Sequence, residues 1–409
     1  MGVKLLINSL FRGGAEKQFA ALGALLPHDQ LLLLENEVLI SPPSKPLFLS
    51  RRSAGTSSFL KTAAIPVYAR RLAALTSPGD TVLSFMERAN LVNILAARRS
   101  GHRAVVCERT RPSGEFSGLR GALMRPLIRR LYPEAAVIVA NSAGVKADLA
   151  ANFSVPPEKI TVINNGCDTA AIAAAAGEGL APAWARVFER PVICASGRLT
   201  AAKGHWHMLR IFSQVKAPGI KPALVLLGEG ELLEYLLKFA RGLGLTVYSG
   251  PGTPPPDADV YFAGFMENPY KYISKARLFA LTSLWEGFPN ALVEALACGA
   301  PVLSSDCTAG PREILSPGTA AQGIVKAEPA PYGVLLPALS GARLTSGAPL
   351  ERAERVWAEK ISEMLADTAL LEKYSRAGLA RAQDFELSTT AALWRDLLQG
   401  TSSPGHHVK

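Results

Sequence analysis

The sequence has 409 residues, 48% hydrophobic and 19% charged, too long for one ordinary core and too apolar for a disordered chain, so two domains are expected. The formal net charge is +10, and residues 1–180 alone hold 21 Lys/Arg against 13 Asp/Glu, which aims this half at an anionic partner. No run of about 18 uninterrupted apolar residues offers a membrane-spanning helix, and the opening residues reach Arg12 and Glu16 too soon for a secretory leader, so the chain is expected to start at Met1.

In chain order, short apolar runs at 3–8, 81–85, 104–107 and 135–140 read as buried strands. Helical periodicity occurs at 15–26, 58–75, 91–99, 119–131 and 143–150. This alternation implies a parallel sheet with right-handed crossovers. The pattern pauses at 163–168 and enters an Ala/Gly/Pro-rich stretch through Pro182, the composition of a linker. A second alternation follows, with strands at 191–195, 223–227, 260–263, 278–281 and 301–304. Helical stretches at 350–366, 370–384 and 387–399 and a polar tail close the chain.

The expected organisation is an N-terminal Rossmann-like domain over 1–182, a C-terminal one over 183–384, a helix over 385–400 returning to the first domain, and a mobile tail at 401–409. Two doubly wound parallel sheets facing one another leave a cleft at the carboxyl ends of their strands, where ligands bind. The five cysteines are odd in number, scattered and without CxxC spacing, so they read as reduced core residues rather than zinc ligands.

The most specific signal is Leu-Trp-Glu-Gly-Phe-Pro-Asn-Ala-Leu-Val-Glu at 284–294, directly after the apolar strand 278–281. Pro289 suits the first turn of a helix, which leaves Glu286 in the loop and Glu294 about one turn inside. The free N–H groups of Phe288, Asn290 and Ala291 would then face an anionic group, aided by the helix dipole. In this reading Glu286 accepts hydrogen bonds from the hydroxyls of a transferred sugar and Glu294 from those of a ribose. The alternative on spacing alone is a capped helix with one solvated and one paired glutamate.

Residue by residue this stretch resembles the retaining glycosyltransferases of family 4, whose signature is two glutamates separated by seven residues on such a turn. Further segments carry the resemblance: Ala-Ser-Gly-Arg-Leu-Thr-Ala-Ala-Lys-Gly at 195–204, Leu-Gly-Glu-Gly at 227–230, Phe-Ala-Gly-Phe-Met-Glu-Asn-Pro-Tyr at 262–270 and Ala-Cys-Gly-Ala-Pro-Val at 297–302. The resemblance implies the GT-B fold, α/β with two Rossmann-like domains, and an activated sugar diphosphate as donor. It implies that Arg198 and Lys203 neutralise the donor diphosphate, that Gly228 belongs to the next glycine turn, and that main chain around Phe265 frames the base. Gly13 and Gly14, between the first strand and first helix, are similar to the family's diphosphate-facing glycine pair.

Glu87, Arg88 and Asn90, and Glu108 and Arg109, follow two N-terminal strands and are candidates for acceptor contacts. Many relatives place a histidine from this domain beside the donor sugar, and no histidine here aligns with it. The resemblance implies retention by front-face attack, in which the departing phosphate oxygen takes the acceptor proton, so no general base is named. A separation of roughly 10 Å between the two glutamates is too large for the roughly 5 Å pair of a retaining glycosidase.

Asp257 and Asp259 imitate a DxD metal motif but follow three prolines, so a solvated turn is expected; neither metal nor cofactor is expected. His205 and His207 lie two apart on a helix, unlike a metal-binding i, i+4 pair, and read as surface or supporting residues. Arg111, Arg120, Arg125, Arg129 and Arg130 interleave with apolar residues like an interfacial helix, with Lys61, Arg70 and Arg71 as a second patch. Without stacking aromatics, anionic lipid is expected rather than nucleic acid. Residues 304–315 resemble a subgroup that builds lipid-linked oligosaccharides, O-antigens and capsules, which implies a UDP-N-acetylhexosamine donor, a polyprenyl-diphosphate-linked acceptor and a peripheral site on the inner face of the cell membrane. An oxidoreductase would need G-x-G-x-x-G after the first strand, which Gly13-Gly14 lacks. A silent homologue would have lost one of Arg198, Lys203, Glu286 and Glu294, and all four are present.

Overall fold

The computed structural model describes residues 2–400, apart from 12, 54, 117, 217, 218, 220, 321 and 322. Arg12 and the tail 401–409 therefore lie outside the described residues. Two compact units divide the chain: unit 1 takes in residues up to Gly166 together with the helix Leu387–Gln399, and unit 2 is Cys167–Glu386.

Unit 1 holds a seven-stranded parallel sheet in the order β3-β2-β1-β4-β5-β6-β7. The strands are β1 Val3–Ile7, β2 Gln30–Leu33, β3 Pro46–Phe48, β4 Thr81–Phe85, β5 Arg103–Glu108, β6 Val137–Ala140 and β7 Ile160–Val162. Consecutive residues Val105, Val106 and Cys107 are all buried, as expected of a strand covered on both faces. The helix Leu387–Gln399 closes one face, with Trp394 wholly buried and 5.6 Å from Phe85, which Phe19 meets edge-on at 5.2 Å.

Unit 2 holds an eight-stranded sheet in the order β10-β11-β9-β8-β12-β13-β15-β14. Its strands are β8 Val192–Ser196, β9 Ala223–Leu227, β10 Val247–Ser249, β11 Val260–Gly264, β12 Leu278–Leu281, β13 Val302–Ser305, β14 Glu328–Ala330 and β15 Gly333–Leu336. All pair in parallel except β14, which runs antiparallel to β15.

Strands β2, β3, β7, β10, β14 and β15 were not anticipated from the sequence, and one helix and the domain boundary differ from expectation. The helix expected over 58–75 is two helices, Ser58–Ala63 and Ile65–Ala73, broken at Ala64; Pro66 has no N–H to continue the ladder and its ring obstructs the preceding turn. The domain boundary expected at 182 falls at Gly166. The Ala-rich stretch is no linker but the helices Thr169–Ala176 and Pro182–Val187 of unit 2, the first capped by Asp168, whose carboxylate accepts from the Ala171 N–H at 2.8 Å. Trp184 anchors the second against Tyr272 at 5.4 Å and Tyr261 at 5.8 Å. The chain enters and leaves unit 2 side by side, with the Cys167 N–H donating to the Phe385 carbonyl at 2.7 Å.

Candidate active site

Strand order in unit 2 reverses at β8, which pairs with β9 on one side and β12 on the other. Loops leaving the carboxyl ends of strands at such a switch point diverge and open a crevice where ligands bind in open α/β sheets. Here the two loops are residues 197–204 after β8 and 282–289 after β12.

The two loops are laced together by their own backbone. Gly204 has φ +59°, and a Cβ there would stand 2.6 Å from the Thr282 carbonyl, so only glycine allows this approach. Thr282 Oγ1 donates to the Lys203 carbonyl at 3.0 Å and the Leu284 N–H to the Ala202 carbonyl at 2.8 Å. Gly228, at the end of β9 with φ +139°, is packed so tightly that a Cβ would collide with the Gly197 carbonyl.

This scaffold puts Lys203 Nζ in direct contact with Glu286 Oε1, and the Ser283 hydroxyl donates to the same oxygen at 2.6 Å. The side chains are 20% and 11% exposed, so the pair is shielded but reachable. Burial and then the Lys203 charge hold His205 down at about 3, so its imidazole is neutral. Burial, with the Glu286 carboxylate as the next cause, pushes the nearby Cys307 thiol well above its usual range. Arg198 is exposed on the same loop.

The helix carrying Glu294 runs Asn290–Ala297. Pro289 is therefore the residue before the helix, with φ −76° and ψ 95°, rather than in its first turn; Asn290 and Ala291 open the helix, and Phe288 is buried edge-on against Phe385 at 5.4 Å. Glu294 accepts a hydrogen bond from the Tyr270 phenol, whose pKa burial and that carboxylate raise far above normal. Tyr270 is placed by Asn268, which accepts from its N–H at 3.1 Å. The Phe265 N–H is 3.4 Å from Glu229 Oε1, joining the loops after β11 and β9. Sequence reasoning assigned no role to Ser283 or Tyr270, although both lie in the segments it singled out or beside them.

In unit 1, Gly13 is extended and precedes the helix Gly14–Leu25, which Gly14 opens. Asn90 is no surface group: wholly buried, it accepts from the Ser84 hydroxyl at 2.9 Å and donates to the Cys107 carbonyl and the Tyr132 oxygen. Glu108 is also interior, accepting from Tyr132 at 2.6 Å and from the Arg109 N–H at 3.0 Å; burial, then the Glu87 charge, push it up to about 7. The Arg109 guanidinium is buried 4.8 Å over the Phe85 ring. Arg88 and Lys61 both pair with the buried Glu35, and Glu87 with Arg120. Met86, between β4 and the helix Glu87–Ser100, has φ 75°, a strained value for a side chain of this size.

The histidines depart from expectation. Both are buried, and His207 Nδ1 lies 2.7 Å from Glu354 Oε1 while its Nε2 accepts the Gly341 N–H at 3.2 Å. Arg210 grips both oxygens of Glu354, at 2.8 and 3.0 Å. His207, Glu351 and Glu354 stand close enough to hold a cation, but with both imidazole nitrogens engaged and an arginine across Glu354 the group reads as a core ion cluster. Asp259 is held by Thr246 and Lys221 rather than free in a solvated turn. Along the expected interfacial helix Arg120, Arg125, Arg129 and Arg130 are exposed, with Arg125 and Arg129 also donating to carbonyls, while Arg111, before the helix, pairs with Asp148. Phe59 is the most exposed of the large apolar side chains among the described residues, at 72%, and its neighbour Leu60 is 53% exposed. No helix among the described residues is long and apolar enough to cross a membrane.

Two α/β units with parallel sheets, one carrying a cation–carboxylate pair at its switch point, define the class as a GT-B glycosyltransferase. Residues 182–331 match the family "Glycosyl transferases group 1" and residues 25–171 match "Glycosyltransferase Family 4". The chain is 32% identical over 320 residues, 76% of its own length and 82% of the relative's, to the Campylobacter jejuni N-acetylgalactosamine-N,N'-diacetylbacillosaminyl-diphospho-undecaprenol 4-alpha-N-acetylgalactosaminyltransferase. It is 29% identical, over 69% of its length and 68% of the relative's, to an uncharacterized glycosyltransferase of Methanocaldococcus jannaschii. Among solved structures, Anabaena HepE in complex with UDP and glucose shares the fold at 18% identity and a TM-score of 0.71, over 98% of this chain and 100% of that one. The chain belongs to the family 4 glycosyltransferases.

Proposed function

We propose that this glycosyltransferase is a retaining enzyme that moves an N-acetylhexosamine from a UDP-sugar to an oligosaccharide carried on a polyprenyl diphosphate. The observation that carries the donor half is the Lys203–Glu286 pair at the unit 2 switch point, where a phosphate-seeking cation and a hydroxyl-seeking carboxylate stand together. Arg198 and Lys203 take up the charge that develops on the departing diphosphate. Glu286 accepts from the sugar hydroxyls and Glu294, steadied by Tyr270, from the ribose hydroxyls, while main chain at Gly228 and Phe265 frames the nucleotide. The N–H groups of Phe288, Asn290 and Ala291 assist the anionic group, and the resemblance gives Gly13 and Gly14 a diphosphate-facing role.

The departing phosphate oxygen takes the acceptor proton on the face it leaves, so configuration is retained and no metal is needed. The named substrate of the Campylobacter relative supports the acceptor class and the N-acetylhexosamine. Glu87 and Arg88, which open the helix Glu87–Ser100, and Arg109, which follows β5, are the acceptor candidates, with the buried Asn90 and Glu108 bracing these segments from the interior. A peripheral site at the cytoplasmic face of the membrane is supported by the positive charge of the N-terminal half and by exposed Phe59 and Leu60. Incubating the full chain with UDP-, GDP- and TDP-sugars and a synthetic polyprenyl-diphosphate-linked sugar tests this. The expected product is an α-linked N-acetylhexosamine formed from the UDP donor and unaffected by EDTA; inversion of the anomeric centre or a requirement for metal rejects the mechanism.

A further inference from the structure

Thr282 and Ser283 follow β12 and are both buried, and their hydroxyls serve the two halves of the site separately. Thr282 Oγ1 binds the Lys203 carbonyl, fixing that residue's backbone at 3.0 Å. Ser283, 0% exposed, donates to Glu286 Oε1 at 2.6 Å, the oxygen that Lys203 Nζ also touches. Glu286 is thus held twice on one oxygen, which leaves the other as the acceptor for a ligand hydroxyl.

We infer that Ser283 is a positioning residue for Glu286. The inference rests on the reading that Lys203 serves a diphosphate and Glu286 a sugar. A diphosphate carries more charge than one carboxylate, so its arrival draws the flexible lysine head off Glu286 Oε1. The serine is not carried along, because the Gly204–Thr282 approach and the Leu284 N–H bond to Ala202 fix the backbone on either side of it. Its hydroxyl is then the protein contact that keeps the carboxylate aimed while the cation is on the phosphate. Loss of a hydrogen bond to a charged group at this moment slows chemistry without weakening the grip on the nucleotide.

The test uses the full chain, with UDP as the binding probe and UDP-N-acetylgalactosamine turnover as the activity. Ser283→Ala should lower kcat about 10- to 100-fold while the Kd for UDP alone stays within about twofold, and Ser283→Thr, which keeps the hydroxyl, should recover most of the rate. Thermal melts identify variants that fold. An Ala variant with wild-type kcat, an Ala variant whose UDP affinity falls in step with its rate, or a folded Thr variant as slow as Ala overturns the inference. Wild-type protein that neither binds UDP nor turns over a UDP-sugar rejects instead the donor reading beneath it, and the inference with it.

Discussion

Lys203 and Glu286, 83 residues apart in sequence, form an ion pair that bridges the loops leaving β8 and β12. Both are placed by the reversal of strand order between those strands, and each is assigned to a different part of the donor. If Lys203 serves the diphosphate as proposed, the carboxylate competes with phosphate for the lysine while the pair is closed.

Replacing Glu286 by Gln therefore separates binding from chemistry. Removing the competing charge from a partly exposed pair should tighten UDP about 2- to 5-fold, the factor expected of an ion pair worth up to about 1 kcal/mol. Sugar transfer should fall about 100-fold or more. Calorimetric titration with UDP and a turnover assay read the two quantities, and weaker UDP binding by Glu286→Gln refutes the competition.

Tyr270 tests the ribose assignment of Glu294. Tyr270→Phe removes the hydrogen bond that orients the carboxylate and should weaken UDP about 10-fold. Glu294→Ala should abolish donor binding. A 2′,3′-dideoxy form of the nucleotide should bind wild type and Tyr270→Phe equally poorly, since it offers Glu294 nothing to accept from; a dideoxy nucleotide that still distinguishes the two proteins rejects the ribose role.

How much of this was legible in the sequence depends on how local each signal is. Strands β4, β9 and β12 have the expected bounds because a buried parallel strand is a continuous apolar run that needs no partner to be recognised. Six strands were missed: β2 and β15, largely apolar but only four residues long, and the edge strands β3, β7, β10 and β14, each three residues long, of which β3 and β14 contain a proline, Pro46 or Pro329, tolerated because an edge leaves N–H groups unpaired. Asn90 read as a site residue because it is polar and follows a strand. The structure turns it inward, where Ser84 and Tyr132 complete its hydrogen bonds. His207 read as a surface or supporting residue, and its partner could not be named because Glu354 lies 147 residues away, beyond any local pattern. Glu286 and Lys203 were legible as a site, but not as a pair, since their contact is created by the strand order.

The same distant cluster sets acid stability. Burial alone would raise the Glu354 carboxyl, but hydrogen bonds from His207 and Arg210 reverse this and hold it at about 2, below the usual 4.5. A depressed folded-state value means the stabilisation is fully present above pH 4.5 and is lost as pH falls toward 2. Glu354→Gln leaves Arg210 without its counter-charge and should destabilise by about 3–5 kcal/mol at neutral pH, with the difference from wild type shrinking below pH 4.5. Urea unfolding at pH 7 and pH 3 measures it; an equal difference at both rejects the ionised cluster.

Whether Arg198 and Lys203 grip the donor diphosphate is read from the affinity for UDP of wild type, Arg198→Ala and Lys203→Ala by calorimetry. Each substitution should weaken UDP about 10- to 100-fold, as expected for a charge-assisted contact, without loss of thermal stability. Wild-type affinity in both folded variants would mean that neither cation holds the diphosphate.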